Sequence, residues 1–331
     1  MSIADTSVDP VFAKDVAEGL SATPKRLMSR YFYDARGDEL FQAIMASDEY
    51  YLTDCELEIL RERGSEIARE IAIGGRFELV ELGSGDGSKI RYLLDALHGE
   101  GVDFDYRPVD ISAAVLDQLQ ARLAPGRPWL RMRPKAVNYM GWLESLEPGA
   151  TRRVFAFMGS NLGNFGDEGA VSFLSLLRGA MGPGDALLLG LDLKKDPAVI
   201  RAAYNDAAGV TAAFNLNLLH RINSELDADF DLDQYRHAPE YNPGTGAACS
   251  WLVSLHDQQV EIGALGRSFR FAAGERIFME ISQKYDDNML AEIAGRAGFR
   301  VAADFRDRRG WFADQVWRPV AGGEHGDGAA R

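Results

Sequence analysis

Short apolar runs alternate with amphipathic stretches through the middle of the chain. Residues 77–82, 104–109, 129–134, 153–158 and 185–191 read as strands, and helical periodicity appears at 88–98, 112–124 and 167–181. The last helix opens at Asp167 and closes near Gly182-Pro183-Gly184. Repeated βα units of this size predict an α/β fold, a parallel, doubly wound sheet that binds ligands at the carboxyl ends of its strands. Beyond Leu191 the rhythm breaks. A long helical stretch through Tyr204 and Phe214, an acidic run at 225–233 and strand-like segments near 251–262 and 276–283 read as an inserted α+β cap. A helix at 287–297 and strands at 299–306 and 311–318, joined tightly by Asp307-Arg308-Arg309-Gly310, return to the sheet as an antiparallel end. The expected division is a core of residues 59–191 plus 285–320, a substrate-binding or lid domain of residues 10–58 plus 192–284, and a loose glycine-rich tail at 321–331.

The first of these strands leads into the most informative segment, Phe77-Glu78-Leu79-Val80-Glu81-Leu82-Gly83-Ser84-Gly85-Asp86-Gly87-Ser88-Lys89. A buried strand that ends in alternate glycines and opens a helix is a nucleotide-binding turn, because bare backbone N–H groups face the ligand. Asp110 closes the neighbouring strand, where a carboxylate is placed to accept both ribose hydroxyls. The spacing is G-x-G-x-G rather than the dinucleotide G-x-G-x-x-G. Asp86 would repel a pyrophosphate there but suit the sulfonium and ammonium of S-adenosylmethionine. The loop alone leaves S-adenosylmethionine, NAD and a purely structural turn open.

Composition narrows the class. The 331 residues are 46% hydrophobic and 26% charged, as in an ordinary globular protein. A net charge of −14 without a basic run argues against nucleic acid as partner. The two cysteines, Cys55 and Cys249, form no framework, and no segment reads as an export signal or membrane span, so a cytoplasmic protein is expected. His98, His220, His237, His256 and His325 lack metal-ligand spacing and read as surface or hydrogen-bond-satisfied structural residues. The acidic run lacks the EF-hand pattern and reads as a solvated face. No G-x-S-x-G nucleophile motif occurs, and no metal is expected.

The amino-terminal cluster Arg30 to Phe41, followed by Glu49-Tyr50-Tyr51, is either core packing or an aromatic ligand cage. Together with other segments it carries a resemblance. Tyr31-Phe32-Tyr33-Asp34, Glu49-Tyr50-Tyr51, Glu81-Leu82-Gly83-Ser84-Gly85, Gly159-Ser160-Asn161-Leu162-Gly163-Asn164, Tyr204 through Asn215 and Met279-Glu280-Ile281-Ser282 occur in order. From about residue 11 to about 318, the chain resembles the ergothioneine-pathway histidine Nα-methyltransferases.

The resemblance implies a class I methyltransferase core that uses S-adenosyl-L-methionine and releases S-adenosyl-L-homocysteine. It implies cofactor contacts from Tyr33, Gly83, Gly85, Lys89, Asp110 and Gly159, with Asn138 and Tyr139 at the adenine. Tyr50, Asn164, Tyr204, Ser250, Glu280 and Ser282 would line the amino-acid pocket, with Tyr33, Asn164 and Tyr204 nearest the chemistry. Glu280 and Ser282 would hydrogen-bond the imidazole, and residues two apart on a strand share a face. The implied substrate is L-histidine, and the implied product of three transfers is the trimethylated betaine hercynine. Gly159 and Gly163 would leave room for an amine that gains methyl groups.

Two positions depart from the family pattern. Asn138-Tyr139 replaces an acidic residue followed by phenylalanine, and Ser250 replaces a methionine beside the imidazole. The second leaves ring-nitrogen methylation, a histidine derivative or another amino acid as alternatives. An NAD-dependent oxidoreductase and a non-catalytic binding protein are the readings from other classes. A monomer acting on a small molecule, away from membranes, is expected.

Overall fold

A computed structural model describes residues 8–149 and 151–320. The tail at 321–331 and His325 lie outside the described residues. The chain divides into two compact units. One comprises the chain up to Tyr51 with Lys195–Ser282, the other Leu52–Lys194 with the chain from Gln283 onward.

In chain order the first unit opens with α1 (Pro10–Ser21), β1 (Lys25–Arg26) and α2 (Ala35–Met45). The second supplies α3 (Leu52–Ile71), β2 (Phe77–Leu82), α4 (Ile90–Gly99), β3 (Phe104–Asp110), α5 (Ala113–Leu123), β4 (Lys135–Ala136), α6 (Tyr139–Glu144), β5 (Arg153–Phe157), α7 (Gly166–Gly179) and β6 (Ala186–Asp192). The first resumes with α8 (Pro197–Ala203), α9 (Val210–Leu226), β7 (Tyr235–Asn242), β8 (Ala247–Ser254), β9 (Gln258–Ile262), β10 (Arg267–Phe271) and β11 (Arg276–Gln283), the last residue of which counts with the second unit. The second closes with α10 (Asp287–Arg296), β12 (Phe299–Arg306) and β13 (Phe312–Pro319).

The second unit is a Rossmann-like sandwich. Its seven-stranded sheet has the order β12-β13-β6-β5-β2-β3-β4. The strands from β6 to β4 are parallel, and β13 is antiparallel to both β6 and β12. Strands β2, β5 and β6 are buried along almost their whole length, and β5 and β6 are accordingly near-continuous apolar runs. The strand order reverses at β2, so a crevice opens outside the carboxyl ends of β2, β3 and β5.

The first unit has its own core, built from Phe12, Phe32, Phe214, Leu218, Leu252, Ile277 and Met279 among others. A four-stranded sheet, β1-β11-β8-β7, and the hairpin β9-β10 accompany α1, α2 and α9. It is the inserted α+β element that the broken rhythm announced.

Three expectations about elements fail. Residues 129–134 form no strand: Met132 makes one isolated bridge to Tyr106, and β4 comprises only Lys135–Ala136. Pro128 and Pro134 cannot donate to a ladder, and Arg131 and Arg133 turn to Asp105, at 2.6 and 3.2 Å. The helical stretch through Tyr204 and Phe214 is two helices. Asp206 accepts hydrogen bonds from the N–H groups of Val210 and Thr211, both at 2.7 Å, and Gly209 takes φ +74°, so a new helix starts there. Finally, β7 was not anticipated; its alternation is blurred by Pro239 and by charged residues on its open side.

Candidate functional site

The second unit carries the residues expected at the cofactor other than Tyr33, which belongs to the first. Gly83 and Gly85 have φ of +70° and +52°, and a Cβ built on either would meet nothing within 4 Å. Backbone without side chains therefore faces open space at the carboxyl end of β2. Between them, the Ser84 hydroxyl is buried and has no hydrogen-bond partner. Asp110 ends β3, and one carboxylate oxygen accepts from the Ser112 N–H at 3.1 Å.

Asn138 caps α6 by accepting from the Met140 N–H at 3.0 Å and is exposed. Tyr139 packs edge-on against Phe157 and Phe173, with ring centroids 6.0 and 6.2 Å apart. Burial, then the Asp110 charge, raises its phenol pKa, so Tyr139 lies within electrostatic reach of Asp110. Lys89 precedes α4, and its ammonium donates to Glu56 Oε2 at 2.5 Å. Gly159, just past β5, has φ +77°, and a Cβ there would lie 2.9 Å from Lys89 Nζ. The open glycine backbone, the orphaned Ser84 hydroxyl and the carboxylate at the next strand tip fit the polar and ribose groups of S-adenosylmethionine.

Asp86 has partners within the second unit. Its carboxylate accepts from Arg122 at 2.7 Å and from the Ser88 N–H at 2.9 Å, so its charge is already engaged. Asn164 lies exposed on a short 3₁₀ turn, Asn161–Phe165. Gly163 in that turn provides no room for methyl groups, contrary to expectation. A Cβ there would come within 2.8 Å of the Gln283 carbonyl oxygen, so its missing side chain permits backbone-to-backbone packing.

The first unit holds the residues expected at the substrate other than Asn164, which belongs to the second. The Tyr204 hydroxyl donates to Ser282 Oγ at 2.8 Å. The rings of Tyr204 and Tyr50 are 6.5 Å apart and nearly perpendicular, Tyr50 meets Phe41 at 6.4 Å, and Tyr33 meets Phe41 and Phe214 at 5.5 and 5.7 Å. Desolvation, then the charges of Glu280, Tyr50, Asp38 and Tyr204, hold the Tyr33 phenol well above its ordinary pKa. Since 44% of the Tyr33 side chain is open to solvent, the Glu280 charge is the firmer of these causes. It places Glu280 within electrostatic reach of Tyr33.

Glu280 is half-buried on β11, and Ser282 is buried. Ser250 is buried on the neighbouring β8, on the same strand face as Ala248, which packs with Ile200 and Tyr204. The aromatic cluster is thus divided in role: Phe32 is fully buried in the core, whereas Tyr33 and Tyr50 keep exposed surface.

Several charged groups in the described residues were invisible to sequence reasoning. Glu56 and Asp314 are fully buried, and Glu81 is 5% exposed within β2. Burial pushes the Glu81 carboxyl up to about 8, against the lowering effect of the Tyr106 hydroxyl that hydrogen-bonds it. Their only sequence signal was a carboxylate in an otherwise apolar stripe.

His237 corrects another expectation: it is buried on β7, and its Nε2 has no hydrogen-bond partner. Burial, partly offset by Asp206, lowers its pKa to about 4. A folded-state pKa below the unfolded value of about 6.5 means that stability is lost as pH falls from about 6.5 to about 4. Chemical denaturation across this range is expected to show a loss of roughly 3 kcal/mol from this group, at about 1.4 kcal/mol per pH unit. That component is expected to vanish in His237→Leu; an unchanged pH profile would refute the assignment. His98, in contrast, is exposed and stacks on Trp129 at 4.1 Å.

Among the described residues, no group of three or more His, Cys, Asp or Glu side chains is placed to hold a metal, and no helix is long and apolar enough to cross a membrane.

Comparison with known proteins agrees with this geometry. The family described as "Histidine-specific methyltransferase, SAM-dependent" matches residues 12–319. The histidine N-alpha-methyltransferase of Mycolicibacterium smegmatis is 40% identical over 94% of this chain and 95% of its own length. That of Mycobacterium tuberculosis is 39% identical over 90% of this chain and 92% of its own. Ergothioneine biosynthesis protein 1 of Neurospora crassa is 31% identical over 85% of this chain but only 32% of its own length. A match over nearly the whole chain, on a Rossmann-like core with an α+β insertion, sets aside the NAD-dependent and non-catalytic readings: the chain belongs to the histidine-specific, S-adenosylmethionine-dependent methyltransferases.

Proposed function

We propose that the protein methylates the α-amino group of L-histidine, repeatedly, to give hercynine for ergothioneine synthesis. The observation that carries this reading is the pairing of Glu280 and Ser282 two residues apart on β11, with Ser282 hydrogen-bonded to Tyr204 and Glu280 within electrostatic reach of Tyr33. An imidazole presents one N–H donor and one nitrogen acceptor, and a carboxylate with a hydroxyl satisfies both. Such a site disfavours an apolar ring, which would leave the carboxylate unpaired.

We assign Tyr50, Asn164, Tyr204 and Ser250 to the remainder of the substrate, and Tyr33, Gly83, Gly85, Lys89, Asp110, Asn138, Tyr139 and Gly159 to the cofactor. In this reading the first unit is mainly a substrate domain and the second mainly a cofactor domain. S-adenosylmethionine supplies a methyl group already activated by its sulfonium. The chain therefore has to align the amine, exclude water and leave a path for one proton per transfer. Tyr33 is not the base, because its raised pKa keeps the phenol protonated at neutral pH. Tyr33, Asn164 and Tyr204 act by positioning, and water takes the proton. Two free cysteines without a disulfide framework support a cytoplasmic site of action.

The test is mass spectrometry of purified protein incubated with S-adenosylmethionine and all twenty amino acids. A gain of three methyl groups on histidine alone is expected. A single methyl on a ring nitrogen, or methylation of another amino acid, would overturn the substrate assignment and point to Ser250 as its cause.

A further inference from the structure

The apolar stripe of α3 contains Leu52, Cys55, Ile59, Leu60, Ile67, Ala68 and Ile71, and within it one fully buried carboxylate, Glu56. Taking a carboxylate out of water costs several kcal/mol unless its oxygens find donors. Glu56 uses both. Oε1 accepts from the Gly159 N–H at 2.7 Å, and Oε2 accepts from Lys89 Nζ at 2.5 Å. The fold makes space for this at Gly190 on β6, where a Cβ would lie 2.2 Å from Glu56 Oε1 and 2.9 Å from the Gly159 nitrogen.

Asp314, opposite Gly190 on β13, is fully buried, and neither of its carboxylate oxygens is hydrogen-bonded. Burial first, and the Glu56 charge next, favour its neutral form, so the charged pair here is Glu56 with Lys89. The Lys89 side chain remains 25% exposed, whereas that of Glu56 is 1% exposed, so the lysine can reach a ligand and the glutamate cannot.

We infer that Glu56 is a positioning residue for the methyl donor: anchored on the Gly159 amide, it holds the Lys89 ammonium in place without touching the cofactor. This rests on the assignment of Lys89 to the cofactor made above. The chemistry requires a carboxylate. Both partners are donors, and a glutamine amide offers one acceptor and one NH₂ group, so in either orientation a donor faces a donor. Lys89 would then be released toward solvent, where a long flexible side chain loses its aim.

The experiment compares wild-type protein, Glu56→Gln, Lys89→Met and the double variant by calorimetric titration with S-adenosylhomocysteine, with steady-state KM values for both substrates. Glu56→Gln is expected to weaken S-adenosylhomocysteine binding about thirtyfold and to raise KM for S-adenosylmethionine similarly, with KM for histidine within about threefold of wild type. A defect in packing alone would not separate the two KM values. The double variant is expected to bind within about twofold of Lys89→Met, because Glu56 acts through the lysine. If Glu56→Gln does not fold, the double variant still decides, since removing both members of a buried ion pair is often tolerated.

Near-wild-type binding by folded Glu56→Gln, or a further loss of about tenfold or more in the double variant relative to Lys89→Met, would overturn the proposal. A wild-type protein that does not bind S-adenosylhomocysteine would overturn both this proposal and the functional reading. Binding by wild type with an indifferent Glu56→Gln would overturn this one alone.

Discussion

Glu280→Ala is expected to lower kcat/KM for L-histidine by a factor of about 15 to 150 while S-adenosylhomocysteine affinity stays within about threefold of wild type. The reason is that Glu280 is the carboxylate with the largest electrostatic influence on Tyr33, ahead of Asp38, and lies on the strand that presents Ser282 two residues later. Removing it leaves an imidazole N–H without its acceptor in a half-buried place, and losing a charged hydrogen-bond partner costs about 1.5–3 kcal/mol or more. Glu280→Gln keeps one carbonyl acceptor and should fall between, at about tenfold. Because Glu280 raises the Tyr33 pKa, both substitutions should also move the Tyr33 phenol downward. Spectrophotometric titration reads that shift independently of turnover. Histidine kinetics unchanged in a folded Glu280→Ala protein would remove the substrate assignment.

The second large effect is expected at Asp110. Asp110→Ala should weaken S-adenosylhomocysteine binding by about 10² to 10³, because two hydroxyl-to-carboxylate hydrogen bonds are lost together. Asp110→Asn should lose about tenfold, since an amide oxygen still accepts. The Asp110 carboxylate also accepts from the Ser112 N–H at 3.1 Å, so a modest fall in Tm accompanies the substitution. Calorimetry at a temperature well below both transitions separates the two effects. Undiminished affinity in Asp110→Ala would show that the cofactor does not use the tip of β3.

The two substitutions fail in different substrates. Glu280 should affect the amino acid and Asp110 the methyl donor, a distinction that no general loss of stability reproduces.

How legible the molecule was depends on the element. Strand β2 was anticipated residue for residue, and β3, β5 and β6 within a residue or two: β5 and β6 are near-continuous apolar runs, as parallel strands covered on both faces are, and β2 and β3 stand out by apolar residues that end at the glycine turn and at Asp110. The edge was not legible: 129–134 has apolar residues of strand type, but prolines and arginines drawn to Asp105 prevent the ladder. The break between α8 and α9 was written in Asp206 and Gly209, a cap and a left-handed residue, yet the apolar periodicity on either side hid it. Of the candidate residues, the glycines and Asp110 announced themselves by position after a strand. Glu280 and Ser282 stood out only through the family resemblance, because the same pair also suits a solvated strand face.

The sequence by itself determined the class of fold, the glycine turn with its neighbouring acid, and the family, since these follow from local patterning and from motifs in a set order. Only the tertiary structure decided which polar groups leave water. Glu56, Glu81, His237 and Asp314 look like other charged or titratable residues in the chain, but burial leaves them 0%, 5%, 8% and 0% exposed. Gly163 and Gly190 became intelligible only when the Gln283 backbone and the Glu56 carboxylate were seen to occupy the space of their missing side chains. The physical reason is that periodicity records which side of an element is apolar, whereas the protonation, pairing and reach of a polar group depend on atoms brought to it from distant parts of the chain.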